Sequence, residues 1–258
     1  LGYLEMMFEI FKGVYTVADL PLVYVPSFRA VVMADIHLGF EEDMASKGIY
    51  LPRTQLSKAL DILDKVLNFV EVSMLIVAGD IKHHFEKLGR KEARDLKDFL
   101  EVAVKKFKKV VVVRGNHDTY LMSICRKFEV KLFDALWLGT ILVVHGHRDL
   151  EYRKDFDIVI MGHEHPSIAL KDPISGYSTK FPCFLLTPLK HGGYALILPA
   201  IGVYQSGTSI STYADGYLSP IIRSEADLEN AKPFVIVEGE GVVELPRLKL
   251  IEDLLKFF

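Results

Sequence analysis

Four histidines stand in the stretch VVHGHRDLEYRKDFDIVIMGHEHP, at His145, His147, His163 and His165. They form two H-x-H pairs, and each pair follows a short apolar run. Imidazole is the commonest neutral metal ligand and titrates near neutrality, so the pattern offers metal ligation, acid–base work or both. Three earlier apolar runs end the same way. VVMADIH carries Asp35 and His37, MLIVAGD carries Asp80, and VVVVRGNHD carries Asn116 and His117. Two carboxylates, an amide oxygen and several imidazoles make an oxygen and nitrogen donor set. Such a set suits borderline divalent ions such as Mn, Fe or Zn, not a calcium cage or a thiolate site. There are too many donors for one tetrahedral ion and enough for two ions sharing a carboxylate.

Residues so far apart in sequence need a fold that gathers them. VVMAD (31–35), MLIVAGD (74–80), VVVVRGNHD (110–118), ILVVHGH (141–147) and FDIVIMGHEH (156–165) are runs of strand length, apolar on both faces, as in buried parallel strands. Helical patterns separate the first three. PRTQLSKALDILDKVLNFV (52–70) opens on Pro52, which suits a first helical turn, and repeats Leu56, Leu60, Leu63 and Leu67. KEARDLKDFLEVAVKKF (91–107) repeats Ala93, Leu96, Leu100, Ala103 and Phe107. The first half therefore predicts a largely parallel α/β sheet, with the chemistry outside the carboxyl ends of its strands. After residue 138 short strands are expected to about residue 211. A hairpin at 234–245 turns near Gly239 and Gly241, and LKLIEDLLKFF closes the chain as an amphipathic helix. No linker or repeat divides the sequence. One domain over 1–258 is expected, with the hairpin and helix from about 230 to 258 as an extension.

Half of the 258 residues are hydrophobic and 25% are charged, enough for a sizeable core. A formal net charge of -3 excludes a bulk positive field, so any nucleic-acid contact must be local. Only Cys125 and Cys183 are present, which excludes a disulfide framework and favours a reducing, cytoplasmic setting. LGYLEMMFEIF has no basic segment of the signal-peptide kind, and no stretch is long and apolar enough for a membrane span. Asn68, Asn116, Asn230, Gln55 and Gln205 are the only side-chain amides, a composition of the thermophile type.

Taken in order, Asp35-Ile36-His37, Gly79-Asp80, Gly115-Asn116-His117-Asp118, His145-Gly146 and Gly162-His163-Glu164-His165 resemble the signature of the calcineurin-like metallophosphoesterases. The resemblance covers roughly residues 29 to 200. ADIHLGFEEDMASKGIYLPRTQ, GDIKHHF and LILPAIGVYQSGTSI are similar to SbcD-related archaeal phosphoesterases, whose bacterial relatives are the ICC-like enzymes. The fold this implies is a four-layer α/β/β/α sandwich, with two mixed β-sheets face to face and helices outside. The implied ligands are Asp35, His37 and His165 for one ion, Asn116, His145 and His163 for a second, and Asp80 as the bridge. Mn2+ is the expected ion, with Fe, Zn and Ni as alternatives. A metal-bridging hydroxide is the expected nucleophile. His117 would steady the phosphoryl oxygens and protonate the leaving alkoxide. The implied substrate is a phosphate ester, DNA or RNA among the choices.

One position departs from the family pattern. Many members read G-D-x-x-D, and here His83 stands where the second aspartate orients the catalytic histidine. His83 is expected to donate a hydrogen bond, share the acid role or touch substrate, and it favours a diesterase over a monoesterase. Lys82, Arg148, Arg153 and Lys154 are candidate phosphate contacts. His147 is a candidate substrate contact or a support to the ligands. His84 reads as a loop histidine, Asp118 as a cap on the next helical turn, and Trp137 as core. Glu164 alternates away from its flanking histidines and is excluded as a ligand. The expected activity is metal-dependent hydrolysis of a phosphodiester. The rivals are a phosphomonoesterase on the same site and a non-catalytic module on the same fold.

Overall fold

The buried valine-rich runs do form strands, and their alternating residues serve two different cores. In the computed structural model, which describes residues 7–86, 88–150, 156–171, 176–205 and 207–255, the first sheet has seven strands. These are β1 (Met7–Phe11), β2 (Val14–Val17), β3 (Leu20–Val25), β4 (Ala30–Met33), β5 (Met74–Ala78), β6 (Lys109–Val113) and β7 (Lys131–Phe133), neighbours in that order. β1 to β4 run antiparallel, and β4 to β7 are parallel. The crossovers are α1 (Phe40–Ser46) and α2 (Gln55–Phe69), then α3 (Arg90–Lys106), then α4 (Met122–Lys127). Along β4 and β6, Val32, Val111 and Val113 face the second sheet, while Val31, Met33, Val110 and Val112 pack under Ile62 and Val66 of α2 and Phe99 and Leu100 of α3. Each such buried side chain contributes on the order of 1.5–3 kcal/mol.

The second sheet holds β8 (Leu136–Leu138), β9 (Ile141–Val143), β10 (Ile158–Met161), β11 (Ser167–Lys171), β12 (Ser178–Pro188), β13 (Tyr194–Ile197), β14 (Lys232–Val237) and β15 (Gly241–Glu244). Its order is β15-β14-β12-β13-β10-β9-β8, with β11 paired to β12. Among its described neighbouring pairs, β9–β10 and β10–β13 are parallel and the others antiparallel. Its inner face sets Val143, Ile160, Phe184 and Leu196 against the first sheet. Its outer face sets Val159, Leu185 and Ile197 beneath Ile221 and Ile222 of α5 (Pro220–Glu225) and Leu248 of α6 (Leu248–Leu255). The result is the expected four-layer sandwich of two mixed sheets flanked by helices. Among the described residues no helix is long and apolar enough to cross a membrane.

Several local expectations give way. α2 starts at Gln55, not Pro52, because Glu41 Oε1 accepts the N–H groups of Thr54 and Gln55 at 2.9 Å each and so sets the first turn. β14 pairs with β12, and its Phe234 and Ile236 join the inter-sheet core. Helix returns after residue 138 at α5, and β13 ends at Ile197, well before residue 211. Trp137 lies on edge strand β8 and is 39% exposed, because an edge strand leaves one flank uncovered.

Candidate metal centre

The parallel strands β4, β5 and β6 of one sheet and β9 and β10 of the other end on the same side of the sandwich, as open α/β sheets require of a ligand site. Asp35 and His37 follow β4, Asp80 follows β5, Asn116 and His117 follow β6, His145 follows β9, and His163 and His165 follow β10. Backbone hydrogen bonds continue beyond the strands. Asp35 N–H donates to Gly79 O, and His37 N–H to Asp80 O, each at 3.0 Å. The second sheet is tied in by His163 N–H on Asp35 Oδ2 at 3.0 Å and by Gly202 N–H on Asp35 O at 3.0 Å.

The backbone is bent to aim these side chains. Nine described non-glycine residues have positive φ, and five of them are Asp35, His37, Asp80, His163 and His165. The left-handed region costs an L-residue roughly 1–2 kcal/mol, and such strain gathers where function over-determines the chain. Two glycines make room for the donors. Gly79 has φ +92, and a Cβ there would strike the His145 ring. A Cβ on Gly115 would strike Asp80 Oδ1. The G-D and G-N-H-D patterns thus record close approach as well as chemistry.

Two groups of donors converge. Asp35 Oδ1 lies 3.2 Å from His165 Nε2, which lies 3.3 Å from His37 Nε2. Asp80 Oδ2 lies 3.2 Å from His145 Nε2, which lies 3.0 Å from Asn116 Oδ1. His163 completes the second group, its ring centroid 5.0 Å from that of His145. Asp80 Oδ2 also lies 4.0 Å from His37 Nε2, so one oxygen reaches toward both groups. Asp35 Oδ1 is buried without a well-directed hydrogen bond, an unmet acceptor among lone-pair donors. Oxygen and nitrogen atoms packed this closely fit two borderline divalent ions. His37, His83 and His117 form a third gathering of imidazoles.

Without an ion, protons balance the carboxylates. Burial opposes a charge on His145, but Asp80 and Asp35 outweigh it and lift that imidazole to about 9. His165 is raised likewise, burial being overcome by Asp35. Burial pushes His37 down to about 3 and, helped by His145, pushes His163 down to about 4. Ligation requires a neutral imidazole, so an ion held at these donors would have to displace the protons on His145 and His165. Ion affinity is therefore expected to rise with pH, by about tenfold per unit from 7 toward 9 for His145 alone, and then to flatten. Calorimetric titration of Mn2+ in buffers of different ionisation enthalpy checks the proton release. A pH-independent affinity would place the ion elsewhere.

The loop after β5 is held by two buried carboxylates that sequence reasoning did not single out for this work. Asp118 accepts the N–H groups of Gly115 and Asp80 at 2.8 Å and of Ile81 at 3.0 Å. It is not the cap of α4, whose N-cap residue is Leu121 with no side-chain cap bond; its oxygens serve these loop donors instead. Glu92, in the first turn of α3, accepts the N–H groups of His83 and His84 at 2.9 Å. Its sequence signal is a Glu three residues after Gly89. The anchored loop presents the His83 carbonyl to His117 Nδ1, so the main-chain oxygen of His83 accepts the bond that orients His117. His83 itself stacks on His117 at 5.4 Å and approaches His37 Nδ1 through its own Nδ1 at 3.4 Å.

Lys82 is not placed as a phosphate contact. It is fully buried, and its Nζ donates to His84 O, because the carboxylates of Glu92, Asp118 and Asp80 draw the ammonium inward. His84 sits between Glu92 and Asp43. His147 is half-buried with its ring 5.3 Å from His145, and exposed Arg148 lies beside it in a small cleft with Arg114. Glu164 is buried and accepts the Ser219 N–H. Arg153 and Lys154 lie outside the described residues.

The family model described as Calcineurin-like phosphoesterase matches residues 28–167. No curated protein matches the chain in sequence. Among solved structures, the chain is similar to the Pseudomonas putida nuclease MPE at 23% identity and a TM-score of 0.62, over 90% of this chain and 94% of that one. It is also similar to Yfce, a phosphoesterase from E. coli, at 13% identity and a TM-score of 0.39, over 84% and 98% of the two chains.

Proposed function

The chain belongs to the calcineurin-like phosphoesterase family, hydrolases of phosphate esters, and from that premise we propose that it cleaves phosphodiester bonds of nucleic acid or nucleotides with two divalent ions. The observation that carries the two-ion reading is Asp80 Oδ2, within 3.2 Å of His145 and 4.0 Å of His37. Asp35, His37 and His165 would hold one ion and Asn116, His145 and His163 the other, with Asp80 between them. When bound, such a pair polarises the phosphoryl oxygens and activates water for in-line attack. Mn2+ is the ion proposed.

His117 is the proposed catalytic residue. The His83 carbonyl takes its Nδ1–H and so leaves Nε2 facing the centre, 3.8 Å from Asp80 Oδ2. Burial holds His117 below the ordinary histidine range, so the ring waits neutral. The negative charge of an arriving phosphate favours its protonation, after which Nε2–H steadies a phosphoryl oxygen and passes its proton to the leaving alkoxide. Support for a diester comes from His83 at the second aspartate position and from the fold shared with a protein described as a nuclease. With Mn2+ added, bis-(p-nitrophenyl) phosphate is expected to turn over faster than p-nitrophenyl phosphate. A clear monoester preference would overturn the diester reading.

A further inference from the structure

The aromatic ring that stands on His117 has no role in the fold or in the reaction as described. Phe85 is 51% exposed, belongs to none of the four hydrophobic clusters, and lies with its ring centroid 3.5 Å from that of His117. Its main chain is fixed, since Thr119 Oγ1 donates to Phe85 O across from the loop after β6. It ends a row of rings along one wall of the centre. Tyr204 stacks on Phe40 at 5.6 Å, Phe40 meets His83 edge-on at 4.9 Å, and His83 stacks on His117. The Tyr204 end of this row is tied down, because the Tyr204 hydroxyl donates to Pro52 O at 2.6 Å. The outer end, Phe85, faces water. A half-exposed phenylalanine gives the fold little hydrophobic return, whereas a ring beside the phosphate subsite offers a face to any planar group one sugar away.

We propose that Phe85 is the stacking platform for the nucleobase adjoining the scissile phosphate, which makes the substrate class a nucleotidic diester with an unpaired base at that position. This rests on the phosphoesterase reading above. Stacking on an aromatic ring accepts every base because every base has a π-face, so the platform would favour single-stranded or frayed nucleic acid without selecting sequence.

The test compares thymidylyl-(3′→5′)-thymidine with the same diester bearing an abasic tetrahydrofuran in place of one nucleoside. Phe85→Ala is expected to lower kcat/KM on the base-bearing diester by about tenfold or more, the usual scale for losing one stacked base, and to change the abasic diester less than twofold. Phe85→Trp should restore the loss. Binding of a fluorescent oligothymidylate in EDTA, read by anisotropy, should weaken in Phe85→Ala in parallel. Equal losses on both diesters would overturn the proposal and make Phe85 a support for His117. So would no loss on either, or a wild type that cleaves bis-(p-nitrophenyl) phosphate but neither dinucleotide. A wild type that hydrolyses no phosphate ester with any divalent ion would instead remove the phosphoesterase reading itself.

Discussion

Asp80→Asn is expected to lower kcat/KM by about 10³-fold or more, a loss of about 4 kcal/mol of transition-state stabilisation, and to weaken ion binding at both donor groups. The substitution is nearly isosteric and keeps an oxygen for the His117 N–H, which Asp80 Oδ1 accepts at 2.9 Å. What changes is Oδ2, the oxygen among His145, His37 and His117. An amide there carries no charge to share between two ions. The fold should survive, because His145 can release its proton once its partner is neutral, so no unpaired buried charge remains. Ion content after dialysis, melting by circular dichroism and turnover of bis-(p-nitrophenyl) phosphate separate these effects. Full activity in Asp80→Asn would rule out the shared-carboxylate mechanism.

The largest effect on stability is expected at Asp118. Asp118→Ala leaves the N–H groups of Gly115, Asp80 and Ile81 without their acceptor in a buried setting. An unsatisfied buried donor costs about 1–3 kcal/mol. Part of that is offset because burial, followed by the Asp80 charge, pushes the Asp118 carboxyl up to about 7, so removing it also relieves a strained charge. A net loss of about 3–5 kcal/mol should lower Tm by roughly 10 °C in a chain of this size. Asp118→Asn, which keeps one acceptor oxygen, should fall between. A melting temperature unchanged in Asp118→Ala would mean that water reaches those donors.

Physical differences explain which parts were readable in advance. The strand ends were legible because a strand buried on both faces writes an unbroken apolar run, and a polar residue closing five such runs stands out. The donor set followed from residue type and order. The antiparallel strands β1 to β3 were not read, since short segments such as VYTV and LPLVYV resemble any apolar stretch. The partners that position the loop after β5 were also hidden. Asp118 has a local role by spacing, and Glu92 looks like one more charge on an amphipathic helix. Both also act at longer range, Glu92 across 8 residues and Asp118 across 38. Lys82 shows the same limit, because a lysine in a glycine-flanked motif looks exposed until three carboxylates surround it.

Each donor group draws on both sheets of the sandwich. Asp35 and His37 follow strands of the first sheet and His165 the second, while Asp80 and Asn116 face His145 and His163 across the same seam. Over most of their shared area the two sheets meet through apolar side chains, a contact that resists separation better than sliding, and the hydrogen bonds that tie them gather at the donor end. A pair of ions would rivet that seam at one end. Any slip of one sheet over the other would be felt there first, as a mismatch in coordination rather than as a loss of core.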